Sequence, residues 1–253
     1  MNFSKRQPEL SMNLIEPQTA TTQPGRATVE LLTLEAVTKT YLTDGQRVDA
    51  LNSVSLSVRQ GEFLALAGRS GCGKSTLLNL AGAMDFPTSG RVLLEGQPTS
   101  ELNDYALTRL RREKVGFIFQ SFQLLNTLTV LENVELPLLL AGESDTRDRA
   151  QRQLELVELS ELAARMPHQL SGGQMQRVAI ARAMVHGPKL LLADEPTGNL
   201  DTQTGNLILA LLRRIADEHK TAILMATHSA ESAAFADATL RMRDGRIAEV
   251  IGR

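Results

Sequence analysis

The 253-residue chain has few of the features that mark several protein classes. Its only cysteine, Cys72, excludes an intrachain disulfide and suits a reducing compartment. The 29 Asp and Glu residues nearly balance the 27 Lys and Arg residues, and the net charge is −2. A charge this small gives no overall attraction to nucleic acid or to an anionic membrane, so we expect no nucleic-acid partner.

Long apolar runs are also absent from the sequence. The longest candidate covers residues 136–141, includes Pro137, and is far shorter than the ~20 residues that a membrane-spanning helix needs. Residues 1–27 are polar and lack the apolar core of a signal peptide. We predict that residues 1–27 form a disordered extension and that residues 28–253 fold as one domain. Any membrane-embedded component is then expected to be a separate chain.

Four short apolar runs predict the strands of a parallel sheet. They occupy residues 63–67, 115–119, 190–193 and 222–227. Continuous apolar residues, rather than alternating ones, are typical of strands that are buried on both faces. Polar residues or glycine stand at the ends of the runs: Gly68, Gln120, Asp194 and His228. Ligands of open α/β sheets bind outside the carboxyl ends of the strands, so these four positions are predicted to converge on one edge.

Two further strands are predicted before the first of these runs. Leu32, Leu34 and Val37 indicate one face of an edge strand, and Val54, Leu56 and Val58 alternate with polar residues at a period of two. Helical patterns lie between the buried runs. The region between Gln120 and Leu190, including residues 149–159, is predicted to be a largely helical insertion.

Residues 68–75 match the pattern of a phosphate-binding P-loop, placed between a predicted strand and a predicted helix. The glycines allow backbone amides to point inward, and the helix N-terminus adds a partial positive charge. We expect Lys74 to reach the β- and γ-phosphates and the Ser75 hydroxyl to bind Mg²⁺. ATP or GTP would contact nine consecutive residues: Gly68, Arg69, Ser70, Gly71, Cys72, Gly73, Lys74, Ser75 and Thr76.

Cys72 lies inside this loop, and two interpretations of it remain open. It is either a spacer or a thiol made reactive by the helix N-terminus. We predict that alkylation of Cys72 blocks nucleotide binding and that ATP protects the thiol.

A second glycine motif occupies residues 170–174, Leu-Ser-Gly-Gly-Gln. Ser171 can cap the helix that follows, and Gly172 and Gly173 leave its N-terminus open to a close approach. The motif has no lysine or metal ligand of its own, so it would bind phosphate weakly unless another P-loop already held that phosphate. Taken alone, the motif also fits an ordinary serine-capped helix.

Together with the P-loop, Leu-Ser-Gly-Gly-Gln resembles the signature motif of ATP-binding-cassette (ABC) ATPases, and the resemblance extends from about residue 31 to the C-terminus. It implies an α/β P-loop fold with a mostly parallel core sheet, an N-terminal antiparallel β part and a helical subdomain at about residues 121–187. It also implies that two cassettes pack head to tail. Each ATP would then lie between Lys74 of one chain and the signature residues of the other: Ser171, Gly172, Gly173 and Gln174. A homodimer is the simplest such assembly.

Asp194 and Glu195 end the buried run at residues 190–193 and precede Pro196. An adjacent pair of carboxylates is usually only a solvated turn, but this position matches the Walker B motif of the family. Asp194 would then hold the Mg²⁺ shell, and Glu195 would orient and deprotonate the attacking water. We predict that Glu195→Gln binds ATP and traps a dimer but nearly abolishes turnover.

The resemblance assigns roles to four further positions. Gln120 would sense Mg²⁺ and the water, and His228 would contact the γ-phosphate. The loop at residues 199–201, with Asp201, would report to the partner cassette. Tyr41 would stack on adenine, although a tyrosine beside a strand more often serves packing.

Segments at residues 119–138, 193–201 and 242–247 resemble the family of lipoprotein-releasing and macrolide-export ATPases. In that family, partner membrane proteins use ATP-driven closure to move material on the periplasmic side. The resemblance implies a peripheral ATPase at the cytoplasmic face of a bacterial inner membrane, bound to a related pair of permeases. We favour lipoprotein release. The alternatives are a macrolide or antimicrobial-peptide exporter and a cell-division ATPase that transports nothing.

The apolar residues after Gln120 have two possible roles. They either form the groove that receives a coupling helix of the permease, or they belong to the core of the helical insertion. The residues are Phe122, Leu124, Leu125 and Leu128.

Overall fold

The computed structural model describes residues 30–43 and 45–252. The extension predicted at residues 1–27 lies outside the described residues. The strands are β1 (Glu30–Thr43), β2 (Gln46–Arg59), β3 (Phe63–Ala67), β4 (Ser89–Leu94), β5 (Gln97–Pro98), β6 (Val115–Ile118), β7 (Leu190–Asp194), β8 (Ala222–Thr227), β9 (Ala238–Arg243) and β10 (Arg246–Gly252). The helices are α1 (Lys74–Ala81), α2 (Asp104–Lys114), α3 (Val130–Ala141), α4 (Thr146–Leu156), α5 (Gly172–Met184), α6 (Thr202–His219) and α7 (Ala230–Ala233).

The core is a six-stranded sheet with the strand order β10-β9-β3-β8-β7-β6. Strands β9, β3, β8, β7 and β6 are parallel, and β10 runs antiparallel to β9. The four buried strands predicted from the sequence are confirmed as β3, β6, β7 and β8. Successive residues of a strand point to opposite faces, and helices or a second sheet cover both faces here. On β7, Leu191 and Ala193 join the apolar cluster of α3–α6, whereas Leu190 and Leu192 join the cluster that contains α1.

The second sheet is antiparallel, with the order β2-β1-β4-β5. The prediction that Leu32, Leu34 and Val37 form an edge strand was wrong, because β1 lies between β2 and β4. Leu34 and Val37 are both buried although they are three residues apart. This spacing is possible because Ala36 has a φ of 47° and shifts the register between them. Such a bulge lets two side chains that are an odd number of residues apart point to the same face of the sheet.

The region between β6 and β7 is mainly helical, as the sequence predicts, and contains α3, α4 and α5. The predicted helix at 149–159 lies three residues earlier, as α4. Helix α3 begins with a capping box between Thr129 and Glu132 and ends at Gly142, whose φ is 72°. Among residues 30–43 and 45–252, no helix is both long and apolar enough to cross a membrane.

The carboxyl ends of four neighbouring strands lie in one row. Ala67 of β3 pairs with Thr227 of β8, Asp194 of β7 pairs with Ala226, and Ile118 of β6 pairs with Ala193. Strands in a sheet are about 4.8 Å apart, so this edge is roughly 15 Å wide. The positions that the sequence places at the strand ends therefore meet along one short edge, as predicted.

Candidate nucleotide-binding and hydrolysis site

The P-loop makes a tight turn between β3 and α1. Gly71 and Gly73 have φ values of 78° and 103°, in a region that side chains rarely adopt. A Cβ atom on Gly73 would lie 2.4 Å from the Ala50 carbonyl oxygen, so the loop has no room for one there. Helix α1 begins at Lys74, which places its N-terminus directly against the loop.

Lys74 is 6% exposed, and its ammonium group lies inside the P-loop. Its Nζ donates hydrogen bonds to the carbonyl oxygens of Gly68 at 2.8 Å and Arg69 at 3.1 Å. These partners are neutral dipoles, and a phosphate oxygen with a full negative charge would be a stronger acceptor. The charge required for phosphate binding is therefore already held at the loop.

Cys72 is 7% exposed and belongs to the apolar cluster around α1. A Cβ atom on Gly68 would lie 2.7 Å from the Cys72 Sγ, so the thiol packs directly against the loop backbone. The carbonyl oxygen of Cys72 accepts a hydrogen bond from the Gly245 N–H at 3.2 Å. Cys72 thus ties the P-loop to the turn between β9 and β10. Its predicted reactivity stays a prediction.

Asp194 and Glu195 stand at the end of β7, next to β8. The Glu195 N–H donates to the Ala226 carbonyl oxygen at 3.0 Å, and Glu195 has a φ of 48°. Such a φ is strained for a long side chain, and strain of this kind concentrates at functional sites. The turn brings the Glu195 Oε2 to 3.2 Å from the Nδ1 of His228. The structure therefore joins two residues to which the sequence assigned separate roles.

Gln120 follows β6 and contacts the loop that follows Glu195. A Cβ atom on Gly198 would lie 2.8 Å from the Gln120 Nε2, and Asn199 Nδ2 donates to the Gln120 carbonyl oxygen at 2.9 Å. The loops after β6 and β7 are therefore packed together, so a shift in one would be transmitted to the other.

Arg182 on α5 is a functional candidate that sequence reasoning missed. Phe122 and Gln123 have φ values of 58° and 53°, and the Arg182 guanidinium donates to the carbonyl oxygens of both residues. Burial lowers the pKa of Arg182. The signal available in the sequence was an arginine within an otherwise apolar run of the helix. Arg182 holds the strained turn that immediately follows Gln120.

Asn133 was also missed, although it is completely buried. Its Nδ2 donates to the carbonyl oxygens of Leu125, Leu128 and Thr129, and its Oδ1 accepts from the Leu125 N–H. This side chain fixes the loop in which the groove residues were predicted. Within that loop, Leu124 packs against the apolar core, whereas Leu125 is 46% exposed.

The signature motif forms the N-terminus of α5, and the predicted cap is confirmed. Ser171 Oγ accepts from the Gln174 N–H at 3.3 Å, and Gln174 Oε1 accepts from the Ser171 N–H at 2.9 Å. A Cβ atom on Gly173 would lie 2.3 Å from the Thr204 side chain, and one on Gly172 would lie 3.2 Å from Leu200. Among the described residues, no hydrogen bond joins residues 171–174 to the P-loop.

Asp201 caps α6 beside the signature motif. Its Oδ1 accepts from the Thr204 N–H at 3.0 Å, and its Oδ2 accepts from the Thr204 hydroxyl at 2.6 Å. These hydrogen bonds lower the pKa of Asp201. The same Thr204 contacts Gly173, so the loop after Glu195 and the signature motif share a neighbour.

Tyr41 lies within β1, close to the start of α1. Its hydroxyl donates to Asp85 Oδ2 at 2.9 Å, and the Lys39 Nζ is 4.9 Å from the centre of its ring. Burial and the hydrogen bond to Asp85 raise the pKa of Tyr41.

The residues predicted to hold Mg²⁺ supply the oxygen donors that this ion prefers. They are a hydroxyl at the first turn of α1, an amide beyond β6 and a carboxylate at the end of β7: Ser75, Gln120 and Asp194. Among residues 30–43 and 45–252, no cluster of three His, Cys, Asp or Glu side chains could hold a metal. Mg²⁺ is usually held by one or two carboxylates together with substrate phosphates, so this donor set fits the ion.

Comparison with known proteins agrees with this geometry. A family model described as "ABC transporter" matches residues 51–198. MJ0796, an uncharacterised ABC transporter ATP-binding protein of Methanocaldococcus jannaschii, is 44% identical over 223 residues, covering 86% of this chain and 95% of MJ0796. A Thermotoga maritima protein of the same description is 47% identical over 220 residues, covering 86% of this chain and 94% of that protein. The macrolide export ATP-binding/permease protein MacB of Brucella melitensis is 45% identical over 219 residues, which are 86% of this chain but 34% of MacB.

Solved structures give the same result. The dimeric structure of MJ0796 superposes with a TM-score of 0.81 at 42% identity, covering 87% of this chain and 98% of that chain. A second dimeric structure of MJ0796, in a post-hydrolysis state with ADP and Pi, gives a TM-score of 0.80 at 41% identity, with the same coverage of both chains. This chain therefore belongs to the ABC transporter family, as an ATP-hydrolysing cassette of the group that includes MJ0796 and MacB.

Proposed function

We propose that this cassette is the motor of a complex at the cytoplasmic face of a bacterial inner membrane, where it drives permease subunits that act on the periplasmic side. The observation that carries the proposal is the separation of two phosphate-binding elements. The P-loop is complete, whereas the signature motif packs against residues 200–204 of its own chain and, within the part of the chain that the structure describes, makes no hydrogen bond to its own P-loop. A second copy, packed head to tail, would bring the two elements together.

Within this composite site, the roles follow from the strand ends. Lys74 exchanges its two carbonyl partners for the β- and γ-phosphate oxygens of ATP. Ser171 and Gly173 of the other copy present the N-terminus of α5, whose backbone amides and partial positive charge suit the γ-phosphate. Bound Mg²⁺, held by Ser75, Gln120 and Asp194, would neutralise phosphate charge.

Hydrolysis also needs a base and a group that holds it in place. Glu195 orients the attacking water and accepts its proton, and His228 lies 3.2 Å from the Glu195 carboxylate. The imidazole can hold that carboxylate on one side and approach the γ-phosphate on the other. Because Asn199 donates a hydrogen bond to the Gln120 carbonyl oxygen, closure of the site would shift the loop after β6.

The permease is proposed to dock near that loop. Leu125 is 46% exposed although Asn133 fixes its backbone, so it presents a rigid apolar contact. Tyr105 on α2 and Leu139 on α3 are 79% and 54% exposed, and a cleft lies between the two helices. These apolar groups suit a short amphipathic helix of a membrane partner.

For the substrate we favour outer-membrane lipoproteins, which the complex would release to a periplasmic chaperone. This assignment is supported by the resemblance of residues 119–138, 193–201 and 242–247 to the lipoprotein-releasing ATPases. Macrolide export is the second candidate, and the 45% identity to MacB supports it. The substrate would not touch this cassette in either case. The identity of the membrane partners therefore has to distinguish lipoprotein release from macrolide export.

The test is an affinity pull-down of tagged Glu195→Gln protein with ATP from detergent-solubilised membranes, followed by mass spectrometry. Tagged Lys74→Ala protein is the matched control, because it should not close on ATP. Two related permeases in the first sample only would support lipoprotein release, which a release assay in proteoliposomes would then measure. One permease with a periplasmic adaptor would favour export, and a division-associated permease would favour signalling. No membrane partner would contradict the transporter proposal.

A further inference from the structure

A hydrogen-bonded triad joins β1 to the loop after α1. Lys39 and Tyr41 are two residues apart on β1 and so share one face of the sheet. Asp85 lies four residues beyond the end of α1. The Lys39 Nζ donates to Asp85 Oδ1 at 2.7 Å and to the Phe86 carbonyl oxygen at 2.8 Å, and the Tyr41 hydroxyl donates to Asp85 Oδ2 at 2.9 Å.

The triad restrains the Tyr41 ring in two ways. Its hydroxyl is tied to a carboxylate that is itself held by an ammonium group. The same ammonium lies 4.9 Å from the ring centre, which is within the range of a cation–π contact. The Lys39 side chain is 13% exposed, so its contact with the ring is largely shielded from bulk water, whereas the Asp85 side chain is 31% exposed. One face of the ring is covered and its orientation is set, while Tyr41 as a whole stays partly exposed.

The triad is also connected to the P-loop. Helix α1 carries the P-loop at its N-terminus and leads to Asp85 beyond its C-terminus. Strand β1, which carries Tyr41, also packs against α1 within one apolar cluster. The ring is therefore fixed relative to the same helix that places Lys74.

We propose that Lys39 and Asp85 are positioning residues that hold Tyr41 as a preorganised platform for the adenine base at a fixed distance from the phosphate site. The inference rests on the proposed role of Tyr41 in base stacking. A ring that is already immobilised loses little conformational freedom when the base stacks on it, so binding is tighter than on a free side chain. The chemical class recognised is a planar purine attached to a triphosphate.

The same contacts would be present if the triad only anchored β1 to the loop after α1. The test therefore needs a measurement that separates this structural role from the positioning of Tyr41 for the base. Inorganic tripolyphosphate carries the phosphates that the P-loop is proposed to bind but has no base. We therefore compare the dissociation constants of ATP and tripolyphosphate, both with Mg²⁺, by competition with a fluorescent nucleotide. The variants are Tyr41→Ala, Tyr41→Phe, Asp85→Asn, Lys39→Met and the double variant Tyr41→Phe/Asp85→Asn.

We expect Tyr41→Phe, Asp85→Asn and Lys39→Met each to weaken ATP binding ~3- to 10-fold and to change tripolyphosphate binding less than 2-fold. The double variant should lose less affinity than the two single losses combined, because both substitutions act on the same contact between Tyr41 and Asp85. Lys39→Arg should restore much of the ATP affinity. The matched control is Glu35→Gln, which breaks the exposed Glu35–Arg91 ion pair between β1 and β4 and should affect neither ligand.

Two results would overturn the inference, and they differ. If Tyr41→Ala weakens ATP alone but Asp85→Asn and Tyr41→Phe do not, Tyr41 stacks on the base without help from the triad. If Tyr41→Ala changes both ligands equally or neither, the proposed stacking role itself is wrong. Should Asp85→Asn fail to fold, Tyr41→Phe removes the hydroxyl that bonds to Asp85 with the loss of a single oxygen and decides the question.

Discussion

At the scale of single residues, the proposed hydrolytic centre depends on a backbone turn at the end of β7. Glu195 has a φ of 48°, and this conformation points its carboxylate at His228, 3.2 Å away. The Glu195 side chain is 23% exposed, and that of His228 is 65% exposed. Both groups can therefore meet a γ-phosphate and a water without a large rearrangement.

Replacement of Glu195 by Gln should separate binding from chemistry. The amide keeps the shape of the side chain but cannot accept a proton from water, so we expect the hydrolysis rate to fall about 10²- to 10⁴-fold. ATP affinity should stay near that of the wild type, and a dimer should persist in ATP. Steady-state ATPase assays and size-exclusion chromatography with ATP measure the two effects.

Glu231→Gln is the matched control for this prediction. Glu231 lines the same cleft as Glu195 and His228 but is exposed on α7, and the proposed mechanism gives it no role. Its ATPase rate should stay within 2-fold of wild type. Wild-type turnover in Glu195→Gln would remove Glu195 from the role of base.

At the scale of elements, α5 connects two parts of the site. Its N-terminus carries the signature motif in a capping box, and Arg182 near its C-terminal end binds the strained turn after Gln120. A helix of 13 residues is about 20 Å long and behaves as one rigid body. A nucleotide held by the P-loop of the partner copy and engaged by Ser171 of this copy would therefore pull on the turn that follows Gln120 in this copy.

Two substitutions of Ser171 should separate its role as a helix cap from its proposed contact with the γ-phosphate of the partner's ATP. Ser171→Ala removes the cap and should lower the free energy of unfolding by ~1 kcal/mol. Ser171→Asp keeps a capping oxygen, so stability should stay near wild type, but its charge would repel the γ-phosphate of the partner's ATP. We expect hydrolysis to fall at least ~10-fold in Ser171→Asp. Urea unfolding and ATPase assays provide the comparison, and an active, stable Ser171→Asp protein would show that Ser171 only caps the helix.

At the scale of the whole molecule, the two proposed phosphate-binding elements face different surroundings. The P-loop packs on β9 and β10, whereas the signature motif packs on residues 200–204. MJ0796, which shares this fold, has been solved as a dimer. In the head-to-tail arrangement proposed for this chain, each site contains the P-loop of one copy and the signature motif of the other.

Mixing two inactive variants tests that arrangement. In a head-to-tail dimer of Lys74→Ala with Ser171→Asp, both lesions fall in one composite site and the other site is intact. We expect the mixture to recover up to roughly a quarter of wild-type ATPase activity, because about half of the dimers are mixed and each has one good site. The double variant Lys74→Ala/Ser171→Asp, mixed with either single variant, is the control and should recover none. Equal inactivity in both mixtures would argue against complementary half-sites.

Much of this architecture is readable from local patterns. The continuous apolar residues of β3, β7 and β8 predict burial on both faces, because helix-lined parallel strands have no polar side. The P-loop and the Ser171 cap are equally local, since each satisfies backbone groups within a few residues of itself. Helix α2 was not predicted, because its residues are mostly polar and it contributes one buried side chain, Leu107.

Contacts between distant parts of the chain could not be read in this way. The interior position of β1 depends on pairing with β4, about 50 to 60 residues later, and the bulge at Ala36 depends on both neighbours. Arg182 finds its carbonyl partners about 60 residues away, and Tyr41 finds Asp85 at a separation of 44. The residue types and spacing were sufficient for the phosphate cradle, the strand ends and the helix cap, since short-range sterics and hydrogen bonding control them. Folding in three dimensions alone paired Glu195 with His228, Arg182 with the turn after Gln120, and Lys39 and Asp85 with Tyr41, because each contact requires the packed sheet to bring remote segments together.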